Sequence, residues 1–325
     1  MLEKREWVRK KKDHLRRALL LEPRGHADMS GAILTEAVSP GSHAGLLFMD
    51  TDGYATMSGH GVIAATTIAL ERGLLMPGGD GRTIVYDTPG GTIRAVATLG
   101  PEHGGPGHGG ERKPAAGALS PPNDRCRVER VAFINLPSFV LHPGLVVKLG
   151  ARRVRVDVAF GGAFYAIVDC EAVGLPLAPS HLPELRRVGT AIRDAVEAGW
   201  DIVHPLDPAF TGIGGTIFTG PPHQAGADLR TVTVFADAQI DRSPCGTGTA
   251  AIMAVLDVMG LLGEDRPFVP ESIVGTRVEG RVCSRGMVAD AAAIVIEITG
   301  AAWITGDHTF LIDDADPLKD GFRIA

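Results

Sequence analysis

Short runs of apolar and β-branched residues recur along the chain and are separated by polar turns. Runs of this kind, bounded by Gly, Pro, Asn or Asp, are typical of β-strands. They predict strands over residues 83–86, 92–97, 128–136, 154–158, 164–168, 231–236 and 293–298. At 183–199 the period becomes that of a helix, carried by Leu185, Val188, Ile192 and Val196. The pattern predicts a mixed α/β protein in which this amphipathic helix opens a second half.

Two segments show neither the strand pattern nor the amphipathic helix pattern. The first 17 residues are charged and lack the apolar stretch of a signal peptide, so they predict a charged helix. Residues 100–123 are rich in Gly, Pro and His, which predicts a long exposed loop or insertion. His103 and His108 lie in that loop, and solvated polar side chains are a better interpretation than a metal-binding pair.

The composition narrows the class of protein. With 325 residues, 45% of them hydrophobic and 22% charged, the chain is expected to form about two globular domains. A net charge of −6 gives no basic field for nucleic acid, and no apolar stretch approaches the ~20 residues that cross a bilayer. Four separated cysteines without a Cys-x-x-Cys pair disfavour disulfides and structural zinc. These features predict a soluble cytoplasmic protein with neither a nucleic-acid nor a membrane partner.

Signatures of common cofactors are missing from the sequence. No G-x-x-x-x-G-K-[ST] motif occurs, and the glycine-rich segment 212–215 does not complete a dinucleotide-binding pattern. Lysines are few, and none stands near a phosphate-binding glycine loop as a pyridoxal phosphate lysine does. We therefore expect the chemistry to need no organic cofactor and no metal.

An internal repeat is the strongest feature of the sequence. Residues 58–64 align with 245–251, and residues 73–75 align with 260–262 at the same offset. Each copy has a small nucleophilic residue, Gly-x-Gly and an apolar helix that ends at a glycine. Because the helices are apolar almost all round, each is predicted to be the core of its own half. The repeat predicts a pseudo-twofold molecule with its active site between the two helix starts.

The helix starts carry groups suited to acid–base chemistry on a carboxylate. Free N–H groups at a helix N-terminus bind anions, and two such ends would hold one carboxylate. The same positive end is expected to lower the pKa of Cys245, so that its thiolate acts as a base. Ser58 is the equivalent hydroxyl, His60 follows it, and Asp241 is a candidate acceptor for an ammonium group. Helix capping by Ser58 and simple burial of Cys245 are the alternatives, which the repeat disfavours jointly.

Residues 57–61 and 241–249 resemble the two signature motifs of the proline racemase superfamily. That family includes proline racemase, 4-hydroxyproline 2-epimerase and trans-3-hydroxy-L-proline dehydratase, and segments 22–29, 160–165 and 308–310 also match it. The resemblance implies a diaminopimelate-epimerase-like α/β (α+β) fold, with two pseudo-symmetric halves, each a curved mixed sheet around a central helix. The first half is expected to comprise residues 1–172 plus 297–325, and the second half residues 173–296.

The resemblance also implies roles for individual residues in a cofactor-independent Cα-proton transfer. The implied catalytic pair is Ser58 and Cys245, with Ser58 as proton acceptor and Cys245 on the opposite face. The substrate carboxylate is implied to bind the backbone of Gly59, His60, Gly246 and Thr247. The acid implied to bind the substrate amine is Asp241. The expected partner is a small molecule, hydroxyproline or proline, and the protein is expected to be a monomer or a homodimer.

One departure from the family pattern indicates the reaction. Racemases and epimerases of the family carry cysteine at both catalytic positions, whereas position 58 here is serine. A serine hydroxyl is less acidic than a thiol, which handicaps a symmetric two-base exchange more than an elimination. The resemblance therefore favours a trans-3-hydroxy-L-proline dehydratase. The alternatives are a 4-hydroxyproline 2-epimerase or proline racemase-like epimerase, and a non-catalytic carboxylate-binding relative.

A second departure concerns the N-terminus. Family members usually begin with a strand and an Asp-x-His-x-Gly-Gly-Glu-Pro-like segment before the charged helix, whereas this sequence starts with the charged segment. Without such a strand, a sheet edge is expected to be uncovered and the substrate cavity reduced.

Overall fold

The computed structural model describes residues 1–100, 127–263 and 266–323. Its helices are α1 (Leu2–Lys11), α2 (Asp13–Leu20), α3 (Gly59–Glu71), α4 (Cys170–Val173), α5 (Leu182–Gly199) and α6 (Gly246–Val258), and Pro179–His181 form a 3₁₀ turn. Its strands are β1 (Ser30–Thr35), β2 (Ala44–Asp50), β3 (Tyr54–Ala55), β4 (Thr83–Thr88), β5 (Gly91–Leu99), β6 (Val128–Ile134), β7 (Ser138–Leu149), β8 (Arg152–Phe160), β9 (Phe164–Asp169), β10 (Ile213–Gly220), β11 (Leu229–Phe235), β12 (Gln239–Ile240), β13 (Pro270–Glu271), β14 (Glu279–Val288) and β15 (Ala291–Gly300).

The strands of the described ranges form one mixed, continuously hydrogen-bonded sheet. Their order is β1-β2-β4-β5-β6-β15-β7-β8-β9-β10-β11-β12, with β3 beside β2, β13 beside β11 and β14 beside β15. Strand β15 joins the two sides of this order. Its residues Glu297 to Gly300 pair with β6, whereas Ala293 and Ile294 pair with β7.

Two apolar helices occupy the inside of the sheet. Helix α3 packs against β5 and β6, and α6 packs against β7 and β8. The first nine residues of α6 are all buried, as expected for a helix without a polar face. Both helices belong to one continuous apolar cluster, whereas a second cluster forms where α5 covers the outer strands. Each helix is buried against its own set of strands, as predicted, and the two apolar cores are continuous because the helices meet at their N-termini.

The predicted secondary structure agrees well with these elements. Each predicted strand is present with its ends shifted by a few residues, and the predicted helix at 183–199 is α5. The charged N-terminal segment forms α1 and α2, and no helix of the described ranges is long and apolar enough to span a membrane. The predicted loop at 100–123, with His103 and His108, lies outside the described residues except for Gly100.

Several strands were not predicted. The apolar run of β2 is buried along almost its whole length, so it has no alternation to distinguish a strand from a buried helix. The pairing of β7 with β8 shifts register on either side of His142, which interrupts the alternation. Strand β10 contains the segment Ile213-Gly214-Gly215, whose glycines weaken any local strand signal.

Candidate active site

The N-termini of α3 and α6 face each other across a close contact between two glycines. A methyl group added to Gly59 would lie 3.1 Å from the Cα of Gly246 and 3.1 Å from the ring of Phe133. Glycine at both positions therefore lets the two backbones approach without a tight side-chain contact. The contact places the preceding residues, Ser58 and Cys245, in the wall of one cavity of about 330 Å³.

All seven predicted site residues line this cavity. They are Ser58, Gly59, His60, Asp241, Cys245, Gly246 and Thr247. The two helix starts supply six of them, and the loop before α6 supplies Asp241. The structure thus brings together residues that are almost 190 positions apart in the sequence, as the repeat predicts.

Both helix starts offer backbone N–H groups to the cavity. The Ser58 Oγ accepts from the N–H of Gly61 at 3.3 Å, and the Cys245 Sγ accepts from the N–H of Gly248 at 3.3 Å. Each side chain therefore caps its helix. Capping is the role that the sequence analysis gave as the alternative for Ser58. The first two N–H groups of each helix, those of Gly59 and His60 and of Gly246 and Thr247, have no acceptor among the described residues. They provide four donors for an anion.

The pKa of the Cys245 thiol is raised, whereas the sequence analysis predicts a lowered pKa. Burial and the negative charge of Asp241 raise the pKa of its thiol to about 11, against the opposing effect of neighbouring hydroxyl and N–H donors. The prediction of a lowered pKa is wrong because it considered only the helix end, whereas the thiol is buried next to the charge of Asp241. The backbone of Cys245 has φ 64°, a left-handed conformation that a non-glycine residue adopts at a cost.

Asp241 and His60 form a pair at the other side of the cavity. The His60 Nδ1 lies 3.4 Å from Asp241 Oδ2, and the backbone N–H and hydroxyl of Ser243 both donate to Asp241 Oδ1 at 2.8 Å. Burial opposes ionisation of Asp241, but His60 and the Ser243 donors outweigh it and hold the pKa of the carboxyl below its ordinary value. Burial likewise opposes protonation of His60, but Asp241 raises its pKa above the ordinary value. The arrangement keeps a carboxylate available for a cation.

Tyr165 is a cavity residue to which the sequence reasoning gave no role. Its hydroxyl lies 2.7 Å from Thr247 Oγ1 and 3.6 Å from Cys245 Sγ, and only 7% of the residue is exposed. Burial raises the pKa of Tyr165 well above its ordinary value, so the phenol is protonated. The sequence contained one indication of a role for Tyr165, its position in segment 160–165, which matches the family. Its contact with Cys245 could not be predicted, because the two residues are 80 positions apart.

The turn before Tyr165 fits closely against the start of α6. A methyl group on Gly161 would lie 2.1 Å from the carbonyl oxygen of Thr247. Gly162 has φ 109°, and its added methyl would lie 2.9 Å from the Thr247 side chain. The two glycines thus allow the turn between β8 and β9 to bring Tyr165 beside Cys245.

The cavity is lined by groups for anions and protons, not by a cluster of metal ligands in the part of the chain that is described. The described ranges contain no group of three or more His, Cys, Asp or Glu side chains placed to hold a metal ion. The cavity combines anion donors, a buried carboxylate, a thiol and several hydroxyl groups, which together can hold a zwitterion and move protons beside it.

Known proteins match the chain over nearly its whole length. A family model described as Proline racemase matches residues 1–103 and 118–323. A trans-3-hydroxy-L-proline dehydratase from Bacillus cereus is 39% identical over 323 residues, which cover 99% of this chain and 90% of the relative. A proline racemase from Clostridioides difficile is 36% identical, covering 99% and 89%. The crystal structure of a hydroxyproline epimerase from Agrobacterium vitis with bound trans-4-hydroxy-L-proline superimposes with a TM-score of 0.81 at 28% identity, covering 98% of this chain and 86% of that one.

Proposed function

Because the chain belongs to the proline racemase family and is an enzyme of that family, we propose that it is a trans-3-hydroxy-L-proline dehydratase. The reaction removes the Cα proton and the 3-hydroxyl and yields pyrroline-2-carboxylate without a cofactor. The observation that carries this proposal is the asymmetry of the two helix starts. The Cys245 thiol contacts the hydroxyls of Tyr165 and Thr247, whereas the Ser58 hydroxyl contacts only the backbone of its own helix among the described residues. The Bacillus cereus relative bears the name of the same activity.

The cavity supports binding of an amino acid zwitterion. We assign the carboxylate to the N–H groups of Gly59, His60, Gly246 and Thr247, which are the free donors of the two helix starts. The ammonium group then lies against Asp241, whose carboxylate is ionised beside His60. Donors to the carboxylate also stabilise the negative charge that develops next to Cα when the proton leaves. In this pose Ser58 and Cys245 flank Cα on opposite faces.

We assign the base to Cys245, which reverses the roles implied by the family resemblance. An alcohol gives up its proton far less readily than a thiol. Among the described residues, the hydrogen bond of the Ser58 hydroxyl comes from the Gly61 N–H, which donates and cannot accept a proton. The Cys245 thiolate, in contrast, would receive hydrogen bonds from the Gly248 N–H and from one of the Tyr165 and Thr247 hydroxyls, while the other hydroxyl donates within the Tyr165–Thr247 pair. These donors stabilise the negative charge on sulfur.

The stereochemistry of the substrate agrees with a single reactive face. In trans-3-hydroxy-L-proline the hydroxyl is trans to the carboxylate, so it lies on the same ring face as the Cα proton. A base on that face removes the proton while the hydroxyl leaves beside it. The opposite face needs no acid or base, and a serine there is sufficient. An epimerase, which must deliver a proton to the opposite face, needs an acid at position 58.

A 4-hydroxyproline 2-epimerase is the second candidate. The similarity to the hydroxyproline epimerase structure and the presence of the Ser58 hydroxyl on the opposite face favour it. A non-catalytic carboxylate binder is the third, but a binder has no use for a thiol with three hydrogen-bonding neighbours.

Incubation with each hydroxyproline separates these candidates. Dehydration of trans-3-hydroxy-L-proline yields an imine that borohydride reduces to proline, whereas epimerisation of 4-hydroxyproline changes optical rotation without an imine. We expect imine from the 3-hydroxy substrate and at least ~10²-fold slower change with the 4-hydroxy substrate. The opposite order would identify an epimerase. Binding of pyrrole-2-carboxylate without any turnover would identify a binder.

The sheet supports one of the two proposed boundaries between the halves but not the one after residue 172, because β7, β8 and β9 lie on the β10 side of β15 and α6 packs against β7 and β8. The expected boundary before residue 297 falls within β15, at the point where its partner changes from β7 to β6. Helices α3 and α6, with their matching starts, then lie in the first and second half, respectively. The monomeric or dimeric state and the cytoplasmic location stay predictions.

A further inference from the structure

The hydroxyl groups of the cavity are distributed unequally between the two helix starts. Tyr165 OH, Thr247 Oγ1 and Cys245 Sγ form a triangle with edges of 2.7, 3.6 and 3.6 Å. Ser58 has no equivalent neighbours among the described residues, since its hydroxyl contacts the backbone of its own helix. The thiol therefore stands next to a second proton-carrying group, and the serine does not.

The proposed dehydration requires such a second group. Hydroxide is a poor leaving group, and its departure from a ring carbon is facilitated when an acid protonates the oxygen as the bond breaks. The 3-hydroxyl of the substrate lies on the face of the Cα proton, which is the face of Cys245 in the proposed function. His60 and Asp241 are engaged with each other at the amine end of the cavity. Ser58 lies on the opposite face.

We propose that Tyr165 is the general acid that protonates the departing 3-hydroxyl, an inference that rests on the proposed dehydratase function. Its hydroxyl lines the cavity beside the base. The Thr247 hydroxyl at 2.7 Å holds the phenol at the edge of the site. Tyr165 is thus a catalytic residue, and Thr247 is its positioning residue.

The proton balance closes within this group of side chains. The Cys245 thiolate accepts the Cα proton, and the electrons of the C–H bond form the Cα–C3 double bond. The C3–O bond breaks as Tyr165 gives its proton to the oxygen, which leaves as water. The thiol of Cys245, 3.6 Å from the phenolate, then returns a proton to Tyr165 and regenerates the thiolate. The enamine tautomerises to pyrroline-2-carboxylate, and no oxidant or cofactor is consumed.

A change of leaving group tests this role. In trans-3-fluoro-L-proline the fluorine replaces the hydroxyl on the same face, and fluoride leaves without prior protonation. We expect Tyr165→Phe to lower kcat for trans-3-hydroxy-L-proline by on the order of 10²-fold, as is typical for loss of a general acid. Fluoride release from the fluoro substrate should fall by less than about 10-fold. Cys245→Ala should lose both reactions, because both need the Cα proton removed.

Controls separate the acid from a structural role. Tyr86→Phe removes a hydroxyl from a fully buried tyrosine in the core, away from the cavity, and should leave both rates unchanged. Thr247→Val keeps the backbone N–H but removes the hydroxyl that contacts Tyr165. It should lower the rate of dehydration of trans-3-hydroxy-L-proline more than the rate of fluoride release from trans-3-fluoro-L-proline. This second variant keeps the test valid if Tyr165→Phe does not fold.

Each outcome decides the inference. Loss of the hydroxy reaction with retained fluoride release supports Tyr165 as the acid. Equal loss of both, with normal binding of pyrrole-2-carboxylate, would show that Tyr165 acts on Cys245 or on packing instead, and full retention of the hydroxy reaction would remove it from the mechanism. If the unaltered enzyme releases neither imine nor fluoride, the dehydratase function itself fails, and the inference fails with it.

Discussion

Cys245 and Ser58 begin equivalent helices, yet their surroundings give them different chemistry. Cys245 is enclosed by Tyr165, Thr247 and the Gly248 N–H, with Asp241 near enough to oppose its ionisation. Ser58 faces the same cavity with only its own helix as partner among the described residues. An equivalent backbone position therefore does not imply an equivalent role, because proton transfer depends on the groups that surround each side chain.

The raised pKa of Cys245 predicts a steep pH dependence of its alkylation. With a pKa of about 11, the thiolate fraction rises about tenfold per pH unit up to that value, and at pH 7 it is roughly one in 10⁴. We expect the rate of reaction with iodoacetamide, followed at Cys245 by peptide mass spectrometry, to rise throughout pH 7–10. A Cys283→Ser background removes the exposed thiol on β14.

Bound pyrrole-2-carboxylate should slow this alkylation, because it fills the cavity in front of the sulfur. Cys245→Ala should abolish turnover and leave the unfolding temperature within a few degrees of the unaltered protein. An alkylation rate that levels off near pH 8 would contradict the raised pKa. Turnover by the alanine variant would exclude the thiol as the base.

Substitution of Ser58 distinguishes the roles of the two faces. If Cys245 is the base, Ser58→Ala should lower dehydration of trans-3-hydroxy-L-proline by less than about 10-fold, whereas loss of a base costs ~10²-fold or more. Ser58→Cys places a proton donor on the opposite face and should raise 4-hydroxyproline epimerisation relative to dehydration. The ratio of the two rates, measured by imine trapping and optical rotation, is the readout.

Either of two results would overturn this interpretation. A loss of ~10²-fold or more in Ser58→Ala would restore Ser58 as the proton acceptor that the family resemblance implies. An unchanged ratio in Ser58→Cys would mean that residue 58 does not select between the reactions, and the preference for a dehydratase would lose its sequence argument.

At the scale of elements, the start of α3 is held against the start of α6 by glycine. Because the two backbones approach so closely, the four N–H groups without an acceptor among the described residues lie side by side and form the proposed anion site. The ring of Phe133 from β6 lies against both glycines, with its tip 3.1 Å from the Cβ position of Gly59 and 3.6 Å from that of Gly246. The anion site thus depends on the packing of two helices and one strand.

Gly59→Ala should separate the two helix starts. The added methyl would be too close to the Gly246 backbone, so we expect a loss of about 1–3 kcal/mol in the free energy of unfolding. The affinity for pyrrole-2-carboxylate should also fall, by at least ~10-fold, as the donors move apart. Chemical denaturation and calorimetric titration measure the two effects. Gly199→Ala at the end of α5, where nothing lies within 4 Å, is the matched control. Unchanged affinity in Gly59→Ala would show that the anion does not bridge the helices.

At the scale of the whole molecule, contacts distant in sequence hold the loop that carries Asp241. Asp28, before β1, accepts from the N–H of Ile240 at 2.8 Å and from Arg186 of α5 at 2.6 Å. The residue next to Ile240 is Asp241 itself. Gln239 also donates to the side chain of Thr51, which follows β2. The loop that carries Asp241 is therefore positioned by segments near both the beginning and the middle of the chain.

Asp28→Ala should act on stability and on substrate binding together. Loss of two hydrogen bonds by a half-buried carboxylate is expected to cost about 1–3 kcal/mol. Because Asp241 would lose its anchor, KM should rise more than kcat falls. Asp28→Asn retains an acceptor for Ile240 and tolerates the left-handed backbone at this position, so its effects should be smaller. Steady-state kinetics and denaturant unfolding test both variants, and a normal KM in Asp28→Ala would contradict this positioning role.

The amino-acid sequence was sufficient for part of the secondary structure and for the residues of the candidate site. The repeat identifies the two helix starts because a Gly-x-Gly before an apolar helix is a local pattern that needs no distant information. Apolar runs that contain β-branched residues and end at turn residues likewise locate β4, β5 and β9. The strands β2 and β7 escape such reasoning, since β2 contains no β-branched residue and the pairing of β7 with β8 is interrupted by register shifts.

The tertiary structure decided what the site residues can do. The pKa of Cys245 depends on exclusion of water and on the distance to Asp241, and the helix start alone predicts the wrong direction. The contact of Tyr165 with Cys245 and the pairing of His60 with Asp241 join residues 80 and 181 positions apart. Ionisation and proton transfer depend on distances between such groups and on their burial, which local sequence patterns do not contain.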